Sequence, residues 1–499
     1  MSDNKIKNYL KLEKKIEQIA HLGTIAALAQ WDSAVLLQPG SAPARQQQLA
    51  TMSSLIHEMS VSSEVGDLIE AAQGEKDSLN DWQKANLDLF TKSYNETTCV
   101  SPEMAHEFSI ASGESEFTWR KCRAENDFKT MVPYLDRVFK AATTIANVKS
   151  QKLNKPAYDV LVDSFDPDRE VSEVKSVYNV LKKELPELMH KIIQKQSSEK
   201  VIKLTEKIDE NTQKAIGLKI MEQMGFDLNR GRLDKSTHPF CTGRSTDVRI
   251  TTRYDENNFL SSLFGVIHET GHALYQQALP EKYGYQAVGE PKGMAFHESQ
   301  SLIMEMQAAT TIQFNEFLAK LLKDEFGFKG PEYSAENLYK LMTRVHPSFI
   351  RVDADEVTYP LHVILRFEME QDIIGGKIKA ADLPEIWNGK MKEYLGIVPD
   401  SYANGCLQDI HWPAGWLGYF PSYTNGAIIA SMLMKKIKET HDVPGELSQG
   451  KFDSINSYLN KNLRQNASFK TSQELLKEST GYEKIQPGIF IDYLKAKYL

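Results

Sequence analysis

Apolar residues recur at three- and four-residue intervals along most of this chain, and that periodicity restricts its fold more than any other feature. From Lys5 to Gln30 the repeat runs through Tyr9, Leu10, Ile16, Ile19, Ala20, Ile25 and Leu28. Arg45 to Val61 continues it with Leu49, Met52, Leu55, Ile56 and Met59, and the tracts 171–200, 300–325, 361–374 and 424–439 follow the same rule. Each tract lays an apolar stripe along one side of a helix. Alternation with a period of two is scarce. Its clearest case, Asp247 to Tyr254, predicts a strand of β-branched and long polar residues taking turns. The expected architecture is mainly α, a large helical fold with one small β-sheet. No low-complexity stretch, Gly/Ser linker or 20–50-residue repeat divides the chain, so residues 1–499 are expected to form one unit.

Composition removes several classes of function. Over 499 residues, 41% hydrophobic and 25% charged is ordinary globular usage. The 59 basic and 67 acidic side chains leave a net charge of −8, which argues against nucleic acid or an anionic membrane as partner. No run of 18 apolar residues predicts a membrane span. The lysine- and glutamate-studded start lacks the apolar core of a signal peptide. Cys99, Cys122, Cys241 and Cys406 lie far apart with no C-x-x-C pair, which suits a reducing compartment and excludes a cysteine zinc site.

The chemistry is concentrated in residues 238–423, while residues 1–200 read as a helical portion flanking that core. Its centre is His268-Glu269-Thr270-Gly271-His272. On a helix, residues four apart share a face, so both imidazoles can hold one zinc ion and the adjacent Glu269 can act as general base. Composition gives fewer than about 0.04 chance occurrences of such a pattern. Three further His-Glu pairs, at 57, 106 and 297, have no histidine at the needed offset. Asp255, Glu256 and Asn257 offer cap-like residues before this helix, and Pro280 follows where it should stop. Gly265 and Gly271 inside it each cost about 1 kcal/mol against alanine, so close packing is expected at both. Zinc needs a third protein ligand. Glu298 and His297, 26 and 25 residues after His272, are the contenders, and a two-histidine, one-glutamate set favours Glu298. His297 is then expected beside the metal ligands or facing substrate.

Six separated motifs resemble one family. His238-Pro239-Phe240, Asp247 to Thr251, His268 to His272, His297 to Gln300, Ile350 to Asp355 and Gly405 to Trp412 stand in the order found in the carboxypeptidase Taq, or thermostable carboxypeptidase, family. Trp31-Asp32, Arg45, His57-Glu58 and the Tyr158–Asp163 stretch also look family-like, whereas Asn425 stands where leucine is expected. The resemblance implies a helical fold with a deep cleft, similar to neurolysin and angiotensin-converting enzyme. It implies a cytoplasmic zinc metallocarboxypeptidase, one ion per chain with cobalt able to substitute. Such enzymes act as homodimers, release C-terminal residues from peptides with broad preference, and act poorly at proline.

Within that reading, His411, Tyr419 and Tyr423 are expected to donate hydrogen bonds to the oxyanion of the tetrahedral intermediate. Arg351 is expected to read the substrate carboxylate by a two-pronged bond, unless it only pairs with Asp353 or Asp355. Arg249 is the second choice, on a strand that could align an extended peptide by main-chain pairing; alternatively Asp247 and Arg249 are sheet-edge charges. His238 is expected in the cleft wall, and Gln408 at the substrate. An oligopeptide endopeptidase on the same scaffold, or a non-enzymatic helical binding protein, are the competing readings. The intact zinc motif argues against the last.

Overall fold

The computed structural model describes residues 5–499; Met1 to Asn4, part of the lysine-rich start, lie outside the described residues. As the periodicity predicts, helices dominate, and the described residues contain one three-stranded sheet. No described helix is long and apolar enough to cross a membrane.

Two helices, α1 (Lys7–Val35) and α2 (Ala42–Ser60), pair near the start of the chain. Their apolar repeats are only partly used. α1 buries Tyr9, Leu12 and Trp31, and α2 buries no residue. Ile25 and Leu28 are exposed: α1 packs on α2 and on the helix Ser63–Gln73, and neither covers this part of its stripe. Tyr9 and Leu12 join a small core with Val65, Ile69, Leu87 and Phe90, separate from the large core that extends from Trp119 to Tyr498.

The strands β1 (Gly231–Lys235), β2 (Phe240–Arg244) and β3 (Asp247–Thr252) run in the order β1-β3-β2. β3 pairs in parallel with β1 and antiparallel with β2, so both of its edges are occupied. The expected strand is therefore central. It has no free main-chain groups to align a peptide, and Asp247 and Arg249 are not edge charges. Val248 and Ile250 are fully buried on one face, as period-two alternation requires.

Against this sheet lies α3 (Phe259–Ala278), which carries the His-Glu-x-x-His motif. Its N-cap is Asn258, with no side-chain cap; Asp255 instead accepts a bond from the Asn257 amide at 2.9 Å. It stops two residues before Pro280, as expected. The next helix, α4 (Gly293–Leu302), approaches so closely that a Cβ on Gly271 would lie 2.6 Å from Ser301 Cα. Gly265 is less tight: a Cβ there would meet Thr252 Oγ1 at 3.4 Å and the Pro239 ring at 3.6 Å.

The tract 300–325 is not one helix. α4 passes into a π-helical turn, Ile303–Ala309, the chain breaks at Thr310, and a new helix covers Ile312–Phe326, capped by Thr311. Three more helices complete the surroundings of the site: α5 (Tyr359–Ile374), α6 (Pro421–Lys438) and α7 (Pro487–Tyr498). α6 packs along α4. At its start Asn425 is fully buried, and its amide donates to Asp166 at 3.3 Å. The polar residue found in place of leucine thus reaches a buried carboxylate.

Candidate metal centre

α3 presents His268 and His272 one turn apart, with ring centres separated by 5.0 Å. Each ring has one nitrogen already engaged. His268 Nδ1 lies 2.6 Å from Glu305 Oε2, and His272 Nδ1 lies 3.0 Å from the His297 carbonyl oxygen. A carbonyl can only accept, so His272 carries its proton on Nδ1 and leaves the Nε2 lone pair free. Both Nε2 atoms face Glu298 Oε2, at 3.9 Å for His268 and 3.3 Å for His272. The three ligand atoms lie within 4.8 Å of one another. Two imidazole nitrogens and one carboxylate oxygen, converging with their far nitrogens anchored, fit a divalent metal of the zinc type.

The electrostatics of these groups agree with that use. Burial opposes charge on His268, yet Glu298 and Glu305 outweigh it and push its pKa up to about 10. Burial also disfavours the Glu298 carboxylate, but His268 and His272 bring it down to about 2. Carboxylates that favour a positive charge on His268 make this a place where a cation is favoured, and a metal bound there would displace that proton. Glu269, 8% exposed, is raised above the ordinary glutamate value by burial, with His268 and His272 opposing and Glu298 adding to the rise.

His297 points its ring at His272, stacked at 4.5 Å, and burial together with the two neighbouring histidines lowers its pKa to about 3. Its carbonyl, not its ring, holds His272. Glu305 was not singled out by sequence reasoning. The available signal was its place seven residues after Glu298, which returns it to the same side of a helix after two turns.

On the other side, the stretch 411–423 brings His411, Tyr419 and Tyr423 together. His411 Nε2 lies 3.3 Å from Tyr423 Oη, and the rings of Tyr419 and Tyr423 meet edge-on at 5.2 Å. Burial lowers the His411 pKa to about 3, with Arg351 next in effect, so the ring is neutral. Burial raises Tyr423 to about 12 while Arg351 pulls it back; Tyr419 is raised further. Both therefore keep their protons and can donate. Glu370 of α5 fixes this stretch: it accepts from Trp412 Nε1 and the Gly418 amide, each at 2.8 Å, and from Tyr158 at 2.6 Å.

Arg351 pairs with neither Asp353 nor Asp355. Its Nε and Nη2 lie 3.0 and 2.9 Å from Asp409 Oδ1, and Nη1 donates to Tyr359 at 2.5 Å. Asp355 instead accepts backbone amides of His346, Val357 and Thr358. Asp409 also takes Arg366 Nε at 2.7 Å, so one buried carboxylate faces two buried guanidinium groups. Gln408 is committed within the protein: its carbonyl oxygen accepts from the Arg351 amide and Arg366, and its nitrogen donates to Phe349, Asn404 and Gly405 carbonyls.

Arg249 pairs with Asp247 at 2.9 Å and stacks on Trp31 at 4.3 Å. His238 is exposed, and its carbonyl accepts from Ser236 Oγ at 2.6 Å. Arg249 lies on β3 and His238 just before β2, and neither is among the three converging ligand residues.

Comparison with known proteins agrees with this geometry. The family profile described as carboxypeptidase Taq (M32) metallopeptidase matches residues 11–498. Thermostable carboxypeptidase 1 of Pyrococcus furiosus is 32% identical over 99% of this chain and 98% of its own, and carboxypeptidase 1 of Bacillus subtilis is 31% identical over 97% and 96%. Among solved structures, metallocarboxypeptidase 1 of Trypanosoma cruzi superposes with a TM-score of 0.96 at 34% identity, covering 99% of both chains. A Pyrococcus furiosus carboxypeptidase superposes at 0.93 with 32% identity and the same coverage. Fold, motif order and converging ligand atoms lead to one assignment: this chain is a member of the carboxypeptidase Taq (M32) family of metallocarboxypeptidases.

Proposed function

We propose that the chain is a zinc-dependent carboxypeptidase that releases C-terminal residues from peptides with broad preference and acts poorly at proline. Cobalt can take the place of zinc, and the enzyme works as a cytoplasmic homodimer. The observation that carries the metal assignment is the convergence of both Nε2 atoms on Glu298 Oε2. His268, His272 and Glu298 would hold the ion, which would supply polarisation of the scissile carbonyl and acidification of water. Glu269 takes the proton of the attacking water and returns it to the leaving amine. Tyr423 and Tyr419 donate to the developing oxyanion, with neutral His411 holding Tyr423 in place.

The free carboxylate of the peptide is read by charge. Two guanidinium groups on one carboxylate leave an uncompensated positive charge beside Tyr359 and Tyr423. Arg351 supplies it, although its fork is spent on Asp409, so the Tyr359 hydroxyl that Arg351 holds makes the contact. Arg249 is the alternative reader, since its ion pair with Asp247 involves a half-exposed partner. Gln408 acts by orienting Arg351 and Arg366. His238 and Pro239 form wall, and His297 aligns His272.

The test compares one peptide as free acid and as C-terminal amide, with released residues followed by mass spectrometry. Loss of cleavage on amidation supports the exopeptidase reading, and equal cleavage overturns it. Metal analysis of active protein checks the ion.

A further inference from the structure

The π-helical turn that carries Glu305 is held from outside by α7. A π turn widens the hydrogen-bonding ring and disturbs the regular helical ladder, and such turns gather at functional sites. Here the Met306 carbonyl, one residue after Glu305, is met by Lys497 Nζ at 3.1 Å and Tyr493 Oη at 2.8 Å. Lys497 also donates to Thr310 Oγ1 at 2.5 Å, where the turn ends. Its charge is balanced by Glu356, whose carboxylate also takes Tyr498 at 2.7 Å and lies 2.9 Å from Tyr493. The side chains of Lys497 and Glu356 are 8% and 5% exposed. A buried ion pair is weak evidence for stability, since apolar residues of similar volume do as well. What this one does is fix the position of a carbonyl next to the residue that orients a metal ligand.

We propose that Lys497 and Tyr493 are positioning residues for the metal: they hold the turn Ile303–Ala309 so that Glu305 meets His268 Nδ1. This rests on the metal site assigned above. The path is short. Lys497 and Tyr493 fix Met306, Met306 fixes Glu305, and Glu305 sets the ring of His268 at 2.6 Å. Groups that orient ligands typically govern metal affinity by about 10–100-fold.

The experiment uses full-length protein, stripped of metal and titrated with Zn²⁺ against a chromophoric chelator, with the Co²⁺ visible spectrum as a readout of ligand geometry. Three proteins are compared with wild type: Glu305→Gln, Tyr493→Phe, and Lys497→Met combined with Glu356→Gln, which leaves no buried charge alone. The expected result is a loss of about tenfold or more in affinity for the double variant, with an altered Co²⁺ spectrum and native circular dichroism. Adding Glu305→Gln to it should cost no more than Glu305→Gln alone, since both act through one contact. If the double variant does not fold, Tyr493→Phe is judged by the same two readouts. Unchanged affinity and spectrum in folded variants, with Glu305→Gln weakened, overturns the proposal alone. Wild type that binds no divalent ion overturns the metal reading and this proposal with it.

Discussion

The place of the missing Cβ on Gly426 lies 2.8 Å from Cβ of Glu298. α6 thus reaches the glutamate proposed to hold the metal with bare backbone, and any side chain at 426 must displace it or be displaced. Gly426→Ala is expected to fold and to bind metal about tenfold or more weakly, because a ligand moved by a few tenths of an ångström loses its angle to the ion. Chelator competition measures this, and wild-type affinity would show that α6 yields instead.

Glu269→Gln should keep metal and fold while losing about 10²–10⁴ of turnover, the usual effect of removing a general base. The amide has nearly the same shape and cannot take a proton. Metal content and kcat measured on the same sample separate this outcome from loss of the ion; half of wild-type turnover would remove Glu269 from the mechanism.

Acid stability should report on Asp409. Burial alone would raise its pKa, but Arg351 and Arg366 hold it far below the ordinary aspartate range. A depressed carboxylate contributes stability that is complete above its unfolded value, about 3.9, and is lost as pH falls below it toward the folded value. Asp409→Asn should therefore lose about 3–5 kcal/mol near neutrality by leaving two buried cations unbalanced. It should also show a flatter decline than wild type below about pH 4. Urea unfolding at several pH values tests both; parallel curves would count against the assignment.

Arg351→Ala should weaken cleavage of the free acid by about 2–5 kcal/mol in kcat/KM and leave the residual amide reaction nearly untouched. Lysine at this position should rescue in part, keeping the charge and losing the two-nitrogen grip on Asp409. If discrimination between acid and amide survives the alanine change, the reader is Arg249 or another arginine.

Much of this site was legible because it is local. His268 and His272 share a helix turn, and their spacing declares a metal whatever surrounds them. Glu298 could be ranked over His297 from ligand chemistry alone. The partner of Arg351 could not be read the same way, since Asp409 lies 58 residues away and nearer aspartates competed for it. Strand β3 was visible in its alternation, whereas its central place depends on β1 and β2, whose Gly231 and Gly243 blur any period-two signal. The break after Leu302 was hidden because Ile303, Met304 and Ala308 keep an apolar character through a change of helical pitch. Exposure of Ile25 and Leu28 shows the converse: periodicity marks a helix and does not say how much of its stripe finds a cover.

The division between two hydrophobic cores has a consequence for how the molecule breathes. α2 adds no buried side chain to either core, whereas α1 buries Tyr9, Leu12 and Trp31 and is tied further by Glu75, Glu64 and Arg244. Amide protons between Ala42 and Ser60 therefore exchange with solvent through openings that cost only part of the global unfolding free energy, while those of α3 wait for the whole body to open. In a deuterium-labelling experiment the protein would show two clocks, a fast one over Ala42–Ser60 and a slow one over α3.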